Sequence, residues 1–447
     1  MLKFLKTLFC VLFALIIIIP LVSMPFFGEE SAEKRDLADK PILKTEEGKL
    51  NTEFFADTDT YLSERFGFRS MLVTSLSTLK DAVFKTSAED DVVIGEDGWL
   101  FFAKTLNDYT CENPLSKEDV SRVAKTVDLI NEYTVSKGAK FAFFIAPNKN
   151  TVYPDKMPYY YLKSDKSSNL DMLNMALKDK DYYLNLLPLL AKEERQIYHS
   201  LDSHWNNLGA AIGFDAVMNK LGIEHTDYLS LDYDIKNTHK GDLDGMLYPS
   251  SDRMDEQVVF DYEPSFEYKS RFKTEEDITI KTTNADKSGS LTIYRDSFCN
   301  ALLPMLADEF KTVEFSRIFP YRLNLVEKNK SDAVIIELVE RNISNLLLSA
   351  PVMQAPLRND VKVTETNFEI SGTKKSGGLM QIYGTVEARG KDIYIVVKQG
   401  ETETVYEAFP IYESELIDGT KEVKSGGFSA FLPISDVDEL DIKICIG

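Results

Sequence analysis

Between residues 85 and 350 the sequence predicts an α/β fold with a central parallel sheet flanked by helices, followed by a β-sandwich over 351–447. The first prediction rests on short, continuous apolar runs, Phe141–Ile145, Leu291–Tyr294 and Val334–Leu338, which read as strands buried on both faces. It rests equally on the helix-period stretches that separate them. The second rests on a change of pattern: past Ala350 no helix-period stretch recurs, and only short strand-like runs remain.

The elements follow in order. Lys3 and Lys6 precede an uncharged run from Thr7 to Phe27, with Glu29 and Glu30 directly after it. A helix needs roughly 17–25 apolar residues to cross a bilayer, so residues 1–28 are expected to form a transmembrane helix acting as a signal anchor. Basic before and acidic after puts the bulk of the chain outside the cytoplasm. A cleaved signal sequence is the alternative, but no small-x-small site follows Pro20.

Residues 29–84 are expected to be a stalk and a helical collar. The segment 29–50 is rich in Lys and Glu, and from Glu53 to Phe84 apolar residues recur at helical spacing, among them Phe54, Tyr61, Leu62, Phe66, Phe68 and Leu72. Within 85–350, Glu118–Lys137 reads as a helix capped by Ser116, Trp205–Leu221 as a second and Phe298–Phe310 as a third. In 351–447 the strand-like runs are Phe368–Ile370, Met380–Tyr383, Ile393–Val397, Thr404–Phe409, Gly427–Leu432 and Leu440–Ile446.

Charge and cysteine content exclude several classes. A net charge of -21 does not suit a nucleic-acid binder, whose partner demands a Lys/Arg-rich surface. Cys10, Cys111, Cys299 and Cys445 show no metal-ligand spacing and are expected to be free, the alternative being one disulfide between distant segments. His199 and His204 are five apart, so they do not share one helical face, and no metal site is expected.

Two segments carry possible chemistry. In Tyr198–Gly209, Asp202 and His204 flank one residue, so at an extended strand end both side chains point the same way. A carboxylate there can orient an imidazole, although a loop Asp and a core His would read identically. In Tyr294–Asn300, Ser297 falls at a strand-to-helix turn, where unpaired N–H groups can hold an oxyanion. The plain alternative is a helix-capping Ser. Together the segments supply a nucleophile, a base and an orienter.

The residues YRDSF (294–298) resemble the nucleophile block of SGNH hydrolases, with Arg295 where Gly usually stands. DSHW (202–205) followed by NNLG resembles the Asp-x-His-Trp block of the AlgX/AlgJ-like alginate O-acetyltransferase family and of the related DHHW proteins. ERFGFR (64–69), GEDGWLFF (95–102), IAPNKNTVYPDKMP (145–158), GDLDGML (241–247) and VIIELVER (334–341) also resemble that family's segments, in the same order, across residues 33–345. The resemblance implies an SGNH-hydrolase-like fold, Ser297 as nucleophile, His204 as general base and Asp202 as its orienter. It implies no cofactor. It further implies O-acetylation of a cell-surface or exported polysaccharide, with a membrane-bound O-acyltransferase (MBOAT) partner delivering the acetyl group. The same triad would serve an acetylesterase, and a non-catalytic scaffold is the reading from another class.

Lys149 and Tyr153 follow the first strand and are candidates for substrate contact or for packing a loop. Arg341 follows the Val334–Leu338 strand and would bind sugar or pair with Glu337 or Glu340. Arg295 is a further substrate-side candidate. Asp242 would shape a turn or line the site, and Trp99 and Trp205 are expected in the core. The β unit would bind glycan or an assembly partner, or serve as a spacer.

Overall fold

The computed structural model describes residues 2–24, 37–45, 47–376, 378–388, 390–417, 420–434 and 440–447. Residues 29–36 of the expected stalk lie outside them. Helix α1 (Leu2–Ser23) is long and apolar enough to cross a membrane, and none of its candidate span, Lys3–Pro20, is buried. The collar is two helices, α2 (Phe54–Arg65) and α3 (Arg69–Phe84).

Helix α4 (Lys117–Ser136) starts as its sequence dictates. Ser116 Oγ accepts from Asp119 N, and the Asp119 carboxylate accepts from Ser116 N in return, closing a capping box. Its Val123, Val127 and Ile130 cover one face of a seven-stranded sheet. That sheet contains β1 (Lys140–Ala146), β2 (Tyr183–Leu184), β3 (Glu267–Tyr268), β4 (Thr279–Thr283), β5 (Ser290–Tyr294), β6 (Thr312–Ser316) and β7 (Ala333–Val339), in the order 2-1-7-5-6-4-3. The five strands β2, β1, β7, β5 and β6 are parallel, and β4 and β3 complete the edge antiparallel.

Alternation along β1 explains the continuous apolar run. Phe141, Phe143 and Ile145 meet α4, whereas Ala142, Phe144 and Ala146 meet Phe214 and Val217 of α5 (Asn207–Leu221) on the opposite face. Helix α5 begins two residues later than the sequence suggested. The Asn206 side chain accepts from the N–H groups of Leu208 and Gly209, so the cap excludes Trp205 from the helix. The expected helix 298–310 is likewise divided: a short 3-10 turn spans Ser297–Asn300, and α6 (Leu303–Glu309) starts afresh with Pro304 in its first turn.

The last seven strands are β8 (Thr364–Glu365), β9 (Phe368–Ser376), β10 (Leu379–Val386), β11 (Ile393–Gln399), β12 (Thr402–Ile417), β13 (Thr420–Leu432) and β14 (Asp441–Ile446). All pair antiparallel, in one continuous order 8-14-11-12-13-10-9, rather than as two separate sheets. The long strand β12 belongs to both halves and shifts register between Ile411 and Glu413, and the halves close over Ile382, Ile395, Phe428 and Ile444. This unit sits on α4: Phe409 and Phe431 join the apolar cluster under that helix, and Arg358 forks onto Glu132 at 2.5 Å.

Candidate active site

Strands β1, β5 and β7 are parallel, so their C-terminal ends meet at one edge of the sheet, where loops of such folds gather their chemistry. Beyond β5, Asp296 Oδ1 accepts from Phe298 N at 3.0 Å and caps the short turn. Its Oδ2 accepts from Val339 N at 2.7 Å, tying the turn to the end of β7. Ser297 opens that turn.

Arg295 is almost fully buried and does not face a substrate. Its N–H donates to Ser316 O at 3.0 Å, extending the β5–β6 ladder, and its guanidinium donates to Asn300 Oδ1 at 2.6 Å and to Glu275 O at 2.5 Å. No positive φ is needed there, which is why Arg stands where a glycine was expected.

The second block is a loop closed by an antiparallel bridge between Tyr198 and Trp205. Asp202 and His204 converge here because the carboxylate folds onto the backbone, not through strand alternation: Asp202 Oδ1 accepts from His204 N at 2.9 Å. The same oxygen lies 2.7 Å from His204 Nδ1, and His204 Nε2 lies 2.8 Å from Ser297 Oγ. Trp205 is buried, as expected, and its Nε1–H donates to Phe298 O at 2.8 Å, fastening this loop to the Ser297 turn.

Two further residues complete the surroundings. His239 ends the outer strand Tyr233–His239, and its Nε2 lies 3.0 Å from Asp202 Oδ2, which also accepts from Asp242 N at 2.8 Å. The His239 ring stacks on His199 at 3.8 Å. Nothing in the sequence reading singled out His239; its only signal was the scarcity of histidine, four in the chain. Asp242 both shapes the loop and borders the site. It accepts from Ser203 N at 2.8 Å and from Ser203 Oγ at 2.6 Å, and its Oδ2 is 3.7 Å from His204 Nδ1.

These contacts set the charges. Burial opposes ionisation of Asp202, but the His204 charge and the hydrogen bonds from His204 and His239 outweigh it and hold the carboxyl well below the usual range. Burial likewise opposes charging of His204, yet Asp202 and then Asp242 raise its pKa. Asp242 is pushed up by burial and by the neighbouring Asp202 charge. Burial, then His239, drives His199 down to about 3. One ligand atom each from Asp202, His204 and Asp242 lies within 4.8 Å of the others, a set the sequence reading did not assemble. Hydrogen bonding accounts for it, since each Asp202 oxygen already accepts twice.

The remaining candidates divide. Lys149 does not reach the site opening: it is buried, and its ammonium donates to the carbonyls of His199, Ser200 and Asp202 at 2.9, 3.1 and 2.7 Å, supporting the histidine loop from behind. Burial lowers its pKa to about 8. Tyr153 also serves the loop, its hydroxyl accepting from Ile197 N at 3.0 Å while its ring packs on Trp99, itself a core residue.

Arg341 makes no ion pair with Glu337 or Glu340. It lies between the rings of Phe102 and Phe298, at 5.4 and 5.5 Å, partly exposed and with no carboxylate partner among the described residues. The two glutamates are occupied elsewhere. Glu337 accepts from Asp296 N at 2.9 Å, and Glu340 Oε2 accepts from Asn148 N and Thr151 Oγ1 at 2.8 and 2.7 Å. Glu340 Oε1 has no partner among the described residues, and burial, with Asp108 nearby, raises the acid to about 8. The four cysteines are free.

A family described as the SGNH hydrolase-like domain of acetyltransferase AlgX matches residues 92–276, a stretch that contains Asp202 and His204 and stops before Ser297. A protein named probable alginate O-acetylase AlgJ, from Pseudomonas aeruginosa, is 28% identical over 220 residues, which are 46% of this chain and 51% of that protein. The chain thus spans about half the length of this curated relative. Among solved structures, Bacillus cereus PatB1 carrying a sulfonyl adduct is similar at 15% identity and TM-score 0.44, over 56% of this chain and 95% of that one. A DHHW family protein from Eubacterium siraeum is similar at 17% identity and TM-score 0.42, over 56% and 94%.

Proposed function

From the premise that this chain belongs to the AlgX/AlgJ-like family through an SGNH-hydrolase-like domain, we propose that it O-acetylates a cell-surface or exported polysaccharide outside the cytoplasm. The observation that carries the reading is the unbroken line Asp202–His204–Ser297, with contacts of 2.7 and 2.8 Å. A relative named for alginate O-acetylation supports the choice of polysaccharide, and α1, with Lys3 and Lys6 before it, supports a membrane anchor.

In this mechanism Asp202 accepts a hydrogen bond from His204 Nδ1–H, which keeps the proton on Nδ1 and leaves the Nε2 lone pair facing Ser297. Ser297 Oγ attacks the acetyl carbonyl as its proton passes to Nε2. The tetrahedral oxyanion is met by the Ser297 N–H, first in its turn and without an intrahelical acceptor, and by the Arg341 guanidinium at the opening. Collapse expels the donor's leaving group, which takes the proton from Nε2, and leaves Ser297 acetylated. A sugar hydroxyl then attacks the acetyl group, its proton moves to Nε2, and Ser297 departs reprotonated. The acetyl donor is a membrane-bound O-acyltransferase, since cytosolic acetyl-CoA does not reach this compartment.

The test is incubation of the protein with an activated acetyl ester and an oligosaccharide. Transfer should yield acetylated oligosaccharide and an acetyl-enzyme mass increment that Ser297→Ala abolishes. Acetate release with no acetylated sugar would make the protein an esterase. Undiminished acetylation in cells carrying Ser297→Ala would reduce it to a scaffold.

A further inference from the structure

Helix α3 is amphipathic in the wrong sense for a helix docked on a protein. Its polar side faces inward: Thr74 Oγ1 accepts from Ser250 N at 3.0 Å, Ser77 is fully buried, and Asp81 Oδ2 accepts from the Tyr248 hydroxyl at 3.2 Å. The opposite side carries Leu72, Leu76, Leu79 and Val83 at the spacing of a single stripe, and these are 40%, 51%, 59% and 60% exposed. Helices on soluble bodies bury such a stripe and wet the other face. This one does the reverse.

Two further observations say what covers it. The outer face carries almost no charge in a chain whose composition is 28% charged: Arg69 opens the helix, Lys80 lies at the edge of the stripe, and Asp81 is turned inward. The hydroxyls on that face are folded back onto their own helix, Ser75 donating to Met71 O and Thr78 to Thr74 O, each at 2.7 Å, so they need no water. The stripe also begins beside the end of α1. Gly67 N donates to Pro20 O at 3.0 Å, and any Cβ at Gly67 would collide with Ser23 Oγ, so the turn before α3 is held against the last residues of the membrane-length helix.

We infer that α3 lies flat on the lipid bilayer, at the leaflet where α1 leaves it, with Leu72, Leu76, Leu79 and Val83 sunk into the boundary between headgroups and acyl chains. The helix is about 24 Å long, which suits a surface-lying segment. With α1 it gives the protein two attachments in place of one, and so fixes the height and tilt of the body above the membrane. The inference depends on α1 spanning the bilayer and not on acetyl transfer.

The test uses the full chain reconstituted in phosphatidylcholine vesicles, with tryptophan placed at Leu79→Trp and, separately, at Leu76→Trp. Both positions are more than half exposed, and the native Trp99 and Trp205 are buried and give a constant background. Lipids brominated on their acyl chains should quench the added emission at each position, as expected for a side chain at the acyl boundary. Ile17→Trp, within α1, reports the span independently. If Ile17→Trp is quenched while the α3 positions emit as in water, the stripe is solvated and the inference is wrong. If the α3 positions are blue-shifted yet unquenched, a protein surface covers them, which also overturns it. If Ile17→Trp itself is unquenched, the span fails and the inference fails with it.

Discussion

His239 Nε2 lies 3.0 Å from Asp202 Oδ2, on the carboxylate oxygen that His204 does not use. The Asp202 carboxylate is therefore gripped between two imidazoles, and its remaining acceptor sites are filled by the backbone N–H groups of His204 and Asp242. Such outer partners fix the direction of the group they hold.

Replacing His239 should thus disturb the reaction without touching substrate. We expect His239→Ala to lower kcat about 10-fold with KM little changed, the usual size of an outer-partner effect. Asp202 would lose a donor and press its charge more fully on His204, so the acid limb of kcat/KM should move to higher pH. His239→Gln, which keeps a donor, should restore most of kcat. An unchanged pH profile in His239→Ala would reduce the contact to packing.

Asp242 should act in the opposite direction. Its charge helps raise His204, so Asp242→Asn should move the same limb to lower pH. The sign follows from the proposed mechanism: there His204 must be neutral to accept the Ser297 proton, and activity therefore falls as pH drops through its pKa. In the unaltered protein that limb should centre above about 6.5, the ordinary histidine value. A pH–rate profile of each variant measures both shifts.

Glu340 predicts a pH-dependent stability. Its folded pKa of about 8 stands above the ordinary 4.5, so the folded state binds the extra proton between these values. The contribution is complete below the ordinary value and is lost as pH rises through about 8. Thermal midpoints should therefore fall across that range, and Glu340→Gln should flatten the decline. A slope unchanged in Glu340→Gln would place the titrating group elsewhere.

Lys149→Met should cost about 2–4 kcal/mol in denaturant unfolding, because the carbonyls of His199 and Asp202 would lose their donor in a buried place, while Ser200 O keeps the Leu100 N–H. Activity should suffer beyond the loss of folded protein, since those carbonyls belong to the histidine loop. Lys149→Arg should not rescue it: a planar fork cannot reach three carbonyls converging on one point.

The α/β core was readable because the apolar runs of β1, β5 and β7 are unbroken and α4 announces its start with Ser116 and Asp119. Asp202, His204 and Ser297 were readable as residue types at suitable junctions, but their contact was not, because the loop's convergence depends on Asp202 folding onto the His204 backbone. His239 was out of reach for a different reason. It arrives from an outer hairpin 37 residues past Asp202, a distance that leaves no local pattern. The roles of Lys149 and Arg295 were misjudged because each charge is settled by partners remote in sequence: loop carbonyls for Lys149 and Glu275 O for Arg295; for Arg341 only the alternative pairing with Glu337 or Glu340 fails, its neighbours being the Phe102 and Phe298 rings.

His204 and Ser297 are separated by 93 positions, and the Trp205–Phe298 bond beside them spans the same interval. Neither block can find the other until the strands between them have assembled, because contacts so distant along the chain form late. In the proposed mechanism a growing polypeptide therefore carries no primed serine. Reactivity arrives only with the finished molecule, and a nick anywhere in that interval that let the sheet come apart would silence it.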